Sequence, residues 1–258
     1  MGCLNVSEGF DRRLAISIVS HGQGTLVEQL LSQLQHCGCI AEIFVVCNIP
    51  EPDIICPDEI KDRTNFIYNK SPQGFAANHN QVFRTASQPY FVVLNPDIIL
   101  SNGDPFPNLL FCIEHNGCAL VVPKVFNLNG GLEDSIRYFP TPYGLLLKLF
   151  GINDGSYDDF GEEPKEIEWA AGMFMLFHSE AFHKVGGFDE RFFLYYEDVD
   201  ICVRLWKAGL RVVACPSVEV VHDARRTSRR NAKYMSWHLS SLVRYMFKHL
   251  GRLPRNVG

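Results

Sequence analysis

The chain has no apolar run of the ~18 residues that a membrane-crossing helix requires. Its opening, MGCLNVSEGFDRR, lacks the apolar core of a secretory leader and has Val6 where N-myristoylation favours a hydroxyl residue. It has no G-x-G-x-x-G turn and no Walker A loop, so two common phosphate cradles are missing. It has no G-x-S-x-G elbow, so serine hydrolysis has no support. The nine cysteines are odd in number and none forms a C-x-x-C zinc spacing; Cys37 and Cys39 are one residue apart. Reduced, mostly buried thiols in a cytoplasmic protein are expected. After Asp223 there is no acidic residue at all, while nine Lys or Arg follow. The remainder therefore carries 15 basic residues against 29 acidic, and the net charge of −5 conceals an acidic body with a basic tail. Such a tail suits a diphosphate, a membrane surface or the acidic body itself. No nucleic-acid motif accompanies it, so nucleic acid is excluded as the expected partner.

What is present is a chain of 258 residues, 47% hydrophobic, enough for one large domain. Short β-branched runs at 14–20, 41–47, 64–69 and 89–95 alternate with helical periods at 25–35 and 74–86. That alternation predicts a parallel α/β sheet whose ligands bind at the carboxyl ends of the strands. Residues 48–57 hold three prolines and read as a loop. Further strands are expected at 119–123, 168–177, 211–214 and 218–222, with helices at 179–185, 197–208 and 231–250. In the last helix, Met235, Leu239, Leu242 and Met246 set a seven-residue rhythm. Residues 153–168, with seven acids against one lysine, read as a mobile surface loop able to close over a ligand.

Three positions stand out chemically. Asp97, in NPDIIL, follows a buried strand, where an aspartate serves either an Asx turn or a Mg²⁺ or Mn²⁺ ion. Glu197, Asp198 and Asp200 open a helix directly after the aromatic run 192–196. The helix dipole explains one acid there, but not three behind an aromatic wall. Desolvation by such a wall raises a carboxylate pKa toward that of a general base. His222 ends the run VEVVH and is either structural or a metal ligand. The following arginines, among them Arg225, Arg226 and Arg229, match phosphate oxygens or form a solvated surface. Gly74, where a strand turns into a helix, would let backbone approach a flat ligand.

Taken together, SIVSHGQGTLVEQLLSQL, NKSPQGFAANHNQVFRTASQPYFVVLNPDIIL, RYFPTP, and the stretch from WAAGMFMLF through VGGFDERFFLYYEDVDICVRLWKAG to VVH resemble family 2 of the inverting glycosyltransferases, and within it the bacterial rhamnosyltransferase branch. The resemblance implies a glycosyltransferase A-type fold: a Rossmann-like, mostly parallel sheet flanked by helices, with C-terminal helices. It implies a single domain over 1–258, with a nucleotide-binding half at 14–123, an acceptor and catalytic half at 124–223 and a basic helical tail at 224–258. Asp198 matches the base, supported by Glu197. Asp97 and His222 match the holders of a divalent metal, Mg²⁺ or Mn²⁺. Ser20, Asn48, Gly74, Asn80 and Asn95 fall with the nucleotide, and the chemistry of Arg225, Arg226 and Arg229 suits a diphosphate, that of the donor or that of a lipid-linked acceptor. One departure stands out: the family's base-contacting aspartate is replaced by Cys47, a weak hydrogen-bonding group, leaving Asn48 or Asp53 to substitute.

The implied reaction is metal-dependent, inverting transfer of a sugar from a nucleotide-sugar donor, dTDP-L-rhamnose before a UDP-hexose. The acceptor is a saccharide or polyprenyl-diphosphate-linked saccharide of a surface polysaccharide. The alternatives are a noncatalytic sugar-nucleotide-binding protein, suggested by Cys47, and a nucleotidyltransferase. The terminal helices with Trp237 suit peripheral contact with the inner face of the membrane, and equally the core or a homodimer interface.

Overall fold

The computed structural model describes residues 11–152, 155–157, 160–223 and 232–254. The first half runs β1 (Leu14–Ser20), α1 (Gly24–Leu34), β2 (Ile40–Cys47), α2 (Asp58–Lys61), β3 (Thr64–Tyr68), α3 (Phe75–Phe83), β4 (Tyr90–Leu94), β5 (Ile98–Ile99) and α4 (Phe106–Asn116). Then come β6 (Leu120–Asn127), β7 (Ile136–Arg137), α5 (Pro142–Leu149), β8 (Lys165–Glu166), β9 (Trp169–Ala170) and β10 (Phe174–His178). The chain closes with α6 (Ser179–Lys184), α7 (Glu197–Lys207), β11 (Val212–His222) and α8 (Ala232–His249).

Nine strands form one sheet in the order β3-β2-β1-β4-β10-β6-β11-β5, with β8 on β11. Strands β1 to β4 are mutually parallel and β6 is parallel to β11. β10 is antiparallel to both β4 and β6. The carboxyl ends of the parallel strands therefore share one edge with the start of β10. The sheet is covered on both faces, as its β-branched runs demand. Leu14, Ile16 and Ile18 pack on one side with Leu30, Leu34, Leu109 and Ile113 of α1 and α4. Ala15, Phe91 and Val93 pack on the other with Val82, Phe182, Val199 and Val203 of α3, α6 and α7.

The structure differs from the sequence expectations at instructive places. The strand expected over 168–177 is interrupted at 171–173, between β9 and β10. The two strands expected at 211–222 are one, β11, whose register on β6 shifts between Cys215 and Glu219, around Pro216, which cannot donate to the ladder. Helix α4 is not among the expected elements, although Phe106, Leu109, Leu110 and Ile113 keep the i, i+3, i+4, i+7 spacing of a helix and are all buried. Among the described residues of the acidic loop, Phe160 and Ile167 are fully buried, so apolar anchors tie it to the core rather than leaving it all at the surface. The described part of the tail is one helix, and its buried face does not follow the seven-residue rhythm of Met235, Leu239, Leu242 and Met246. Ser241, Tyr245 and His249 are inside, while Met235 and Leu239 face out.

Candidate functional site

The shared sheet edge gathers the chemistry. Asp97 follows β4, and His222 ends β11 opposite Ile98. The antiparallel β10 begins there too, so the 171–173 loop meets the end of β4 and Asn95 N–H donates to Met173 C=O at 2.9 Å. One residue back, Gly172 N–H donates to Asp198 Oδ2 at 3.1 Å. One backbone–backbone and one backbone–side-chain hydrogen bond thus relay the end of β4 to the start of α7.

Asp198 is half-buried, and its Oδ1 accepts from Val199 N–H at 2.8 Å. Burial pushes its carboxyl up to about 6, against the pull of those backbone donors. Glu197 beside it is 4% exposed, and its Oε2 has no hydrogen-bond partner among the described residues. Burial first, then the neighbouring Asp198 charge, raise Glu197 well above the carboxylate range. Environments that push two carboxylates apart assign them different protonation states. Of the two, Glu197 is the carboxyl whose charge is more strongly disfavoured, and Asp198, raised to about 6, is the one placed to ionise.

The turn that aims them is strained. Tyr195 and Tyr196 have φ of 70° and 67°, a left-handed region that costs a bulky residue about 1–3 kcal/mol. Helix α8 holds this turn. Ser241 Oγ donates to Leu194 C=O at 2.9 Å. Tyr245 lies against Tyr196, His238 touches both tyrosines, and Trp237 tilts onto Phe193 at 4.7 Å. Beneath, the fully buried Asp200 accepts from Arg204 Nε at 2.7 Å, Lys248 Nζ at 2.6 Å and His249 Nε2 at 2.8 Å. Trp237 therefore serves this packing.

Asp97 Oδ2 lies 3.3 Å from His222 Nε2. Burial alone would lower the His222 pKa; the Asp97 hydrogen bond and charge, with Glu133 and Asp223 beyond, raise it instead. Asp97 Oδ1 and His222 Nδ1 are both buried without hydrogen-bond partners among the described residues. A carboxylate and an imidazole facing each other through Oδ2 and Nε2, with the carboxylate's other oxygen unsatisfied, are an oxygen and nitrogen donor pair that fits a divalent cation. Among the described residues no third His, Cys, Asp or Glu joins them, which leaves the other positions to phosphate oxygens and water.

The nucleotide-side residues separate into two groups. Asn48 is buried; its Nδ2 donates to Gln73 C=O at 3.0 Å and its Oδ1 accepts from Gln73 N–H at 2.8 Å and Asn69 Nδ2 at 2.9 Å. Ser20 Oγ donates to Glu51 Oε2 at 2.8 Å and accepts from Gln23 N–H at 3.1 Å. Glu51 Oε1 is buried without a partner among the described residues. Cys47 is buried, and desolvation followed by the Glu51 charge pushes its thiol up to about 11. Asp53 is exposed. Asn80 is not brought to this group. Its amide is engaged at both ends by the 188–190 loop, accepting from Phe188 N–H at 2.9 Å and donating to Phe188 C=O at 2.8 Å and Glu190 Oε1 at 3.0 Å. At Gly74, the backbone that comes close is the protein's own: an added Cβ would sit 2.5 Å from Phe193 C=O. Arg225, Arg226 and Arg229 lie outside the described residues.

Sequence reasoning did not single out Gly172, Glu51 or Ser241. A glycine inside an apolar strand signal marks a close backbone approach, so Gly172 had a local cue. Ser241 had none, since its role depends on where α8 docks.

A family model described as Glycosyl transferase family group 2 matches residues 150–248. The rhamnosyltransferase WbbL of Escherichia coli (strain K12) is 30% identical over 250 residues, covering 90% of this chain and 91% of the relative. The N-acetylglucosaminyl-diphospho-decaprenol L-rhamnosyltransferase of Mycobacterium tuberculosis (strain ATCC 25618 / H37Rv) is 46% identical over 162 residues, 59% of this chain and 53% of that one, so the match spans about half of that relative. Among solved structures, GalNAc-T7 with UDP, GalNAc and Mn²⁺ superposes with a TM-score of 0.66 at 16% identity, covering 91% of this chain and 47% of that one, a likeness of fold. Similarity across nine-tenths of the chain, on a glycosyltransferase A-type sheet with its acids on one edge, settles the family: the chain belongs to the group 2 glycosyltransferases, beside relatives named rhamnosyltransferases, and transfers a sugar from a nucleotide sugar.

Proposed function

We propose that the protein transfers L-rhamnose from dTDP-L-rhamnose, with inversion, to a hydroxyl of a polyprenyl-diphosphate-linked saccharide. The observation that carries this reading is the meeting of Asp198 with the Asp97–His222 pair on one sheet edge, relayed through Gly172 and Met173. The names of the two bacterial relatives support the sugar, and that of the mycobacterial one supports the lipid-linked acceptor.

Asp198 accepts the acceptor hydroxyl proton as that oxygen bonds to the anomeric carbon and the bond to the diphosphate oxygen breaks. Glu197, whose charge burial disfavours, limits the negative charge beside Asp198. Asp97 and His222 are suited to hold a divalent cation, which when bound would offset the negative charge of the departing diphosphate. Arg225, Arg226 and Arg229 are assigned to the diphosphate by their guanidinium chemistry. With Cys47 buried, Glu51 replaces it as the acceptor for the imide N–H of thymine. Ser20 orients Glu51 through their hydrogen bond, and Asn48 shapes the adjoining loop.

The test is a melting-temperature panel of dTDP, UDP and GDP, each with and without Mn²⁺. A ligand at 100 times its Kd adds about 2.7 kcal/mol, a rise of about 5–10 °C for a chain of this size. A Mn²⁺-dependent rise with dTDP alone is expected. A rise with UDP alone would replace the donor by a UDP-hexose, and no rise with any of them would favour a noncatalytic protein.

A further inference from the structure

Two helices bordering the site expose far more apolar surface than packing requires. Residues 143–152 and 235–250 hold nine of the sixteen large hydrophobic side chains that are exposed among the described residues. On α8, Met235, Leu239, Val243 and Phe247 recur every four residues as one winding stripe, with Phe247 85% exposed. They line an open groove with Arg191 and Arg244. On and beside α5, Tyr143, Leu146 and Phe150 face out. The helices adjoin: Thr141 and Pro142 share a cleft with Tyr245, Met246 and Leu250, and the Lys148 charge reaches His238.

Charge selects the occupant. Residues 142–152 and 232–254 contain five Lys or Arg (Lys148, Lys233, Arg244, Lys248 and Arg252) and no acid, although the chain as a whole is acidic. Lys248 turns in to Asp189 and Asp200, while Lys148, Lys233, Arg244 and Arg252 are exposed, Lys233 with its Nζ 4.9 Å from the Trp237 ring centre. A symmetric pair of copies would set this cationic face against itself. An anionic bilayer complements it, apolar side chains entering the acyl boundary and cations meeting headgroups. No described helix is long and apolar enough to cross a membrane, so the contact would lie in the interface. The inner face of α8 clamps the Tyr195–Tyr196 turn, which places the stripe about one helix diameter, ~10 Å, from the Asp198 loop.

We infer that α5 and α8 form a membrane-docking face for an anionic lipid bilayer, with Met235, Leu239, Val243 and Phe247 inserted and their flanking cations on the headgroups. The inference deepens the lipid-linked-acceptor reading, since it would bring the Asp198 loop to the surface that carries such an acceptor.

The test is flotation of the full chain with vesicles of phosphatidylcholine, with and without about one-third phosphatidylglycerol, at low and high salt. Wild type should float with the anionic vesicles, each cation adding roughly fivefold, and salt should weaken it. The exposed-site variant Leu239→Gln/Phe247→Gln should lose about tenfold or more of its partitioning. Its melting temperature, and its melting response to dTDP with Mn²⁺, should stay those of wild type. Absence of flotation by wild type, or undiminished flotation of the variant, would overturn the docking face. So would a wild-type dimer that the same variant dissociates, because the stripe would then be an interface between copies. Failure of the dTDP response in wild type sinks the donor reading alone, since flotation does not depend on it.

Discussion

Asp198 and Glu197 are adjacent in sequence yet chemically different, and the difference is burial. Asp198 keeps two backbone donors, while Glu197 Oε2 has no partner among the described residues. Asp198→Asn should therefore lower kcat by about 10²–10⁴ while leaving donor affinity in place, read from steady-state kinetics beside a nucleotide titration. Glu197→Gln puts a neutral amide of the same shape where burial already disfavours the carboxylate charge. It should keep turnover within about an order of magnitude, and a loss as deep as that of Asp198→Asn would reverse the two roles. In wild type, kcat should climb as pH rises through about 6, where Asp198 ionises, and then level off. Gly74→Ala tests the other side of the turn. Its Cβ has only 2.5 Å to Phe193 C=O, so overpacking should cost about 1–3 kcal/mol in denaturant unfolding.

Helix α8 is the element on which the site depends without contributing a reacting group. Its Ser241 and Tyr245 hold the Tyr195–Tyr196 turn, and Lys248 and His249 close the charge network on Asp200. Removing one partner of a buried pair typically costs about 3–5 kcal/mol. His249→Ala should therefore lower the melting temperature and, by loosening the turn, reduce kcat more than it raises KM. Unchanged kcat in a destabilised His249→Ala protein would show that α8 supports the fold alone. The existence of α8 was legible from its periodicity, but its orientation was not. Apolar residues occur all around it, and the inward face mixes serine, tyrosine and histidine. The element order β1 to β4 was far more legible, because fully buried parallel strands need continuous β-branched runs and short α/β loops. The break at 171–173 left one local cue, Gly172, between flanks that both read as apolar strand.

At the scale of the whole molecule, buried charge makes stability depend on pH with two opposite signs. Asp200 is lowered, with the His249 hydrogen bond and nearby cations outweighing desolvation, and Asp189 is lowered chiefly by its hydrogen bond to Arg191. Their stabilisation is present above the ordinary carboxylate value of 3.8 and lost as pH falls below it. Asp198 and Glu197 are raised, so their contribution is full below their unfolded values and is lost as pH rises, through about 6 for Asp198. Without nucleotide or metal, the melting temperature should peak between those limits, and Asp198→Asn should flatten the decline on the alkaline side; an unaltered decline would remove Asp198 as its source. The sequence by itself determined the alternating strands and helices, the acid after β4, the acid cluster opening α7 and the cationic tail. These are local, set by periodicity, turn chemistry and composition. Only the tertiary structure decided that Asp97, His222 and Asp198 share an edge, because that follows from β10 running antiparallel between β4 and β6. It alone decided that the Glu197 charge is disfavoured, that Asn80 braces a loop, and that Met235 faces out while Tyr245 faces in, because burial belongs to what packs against a residue.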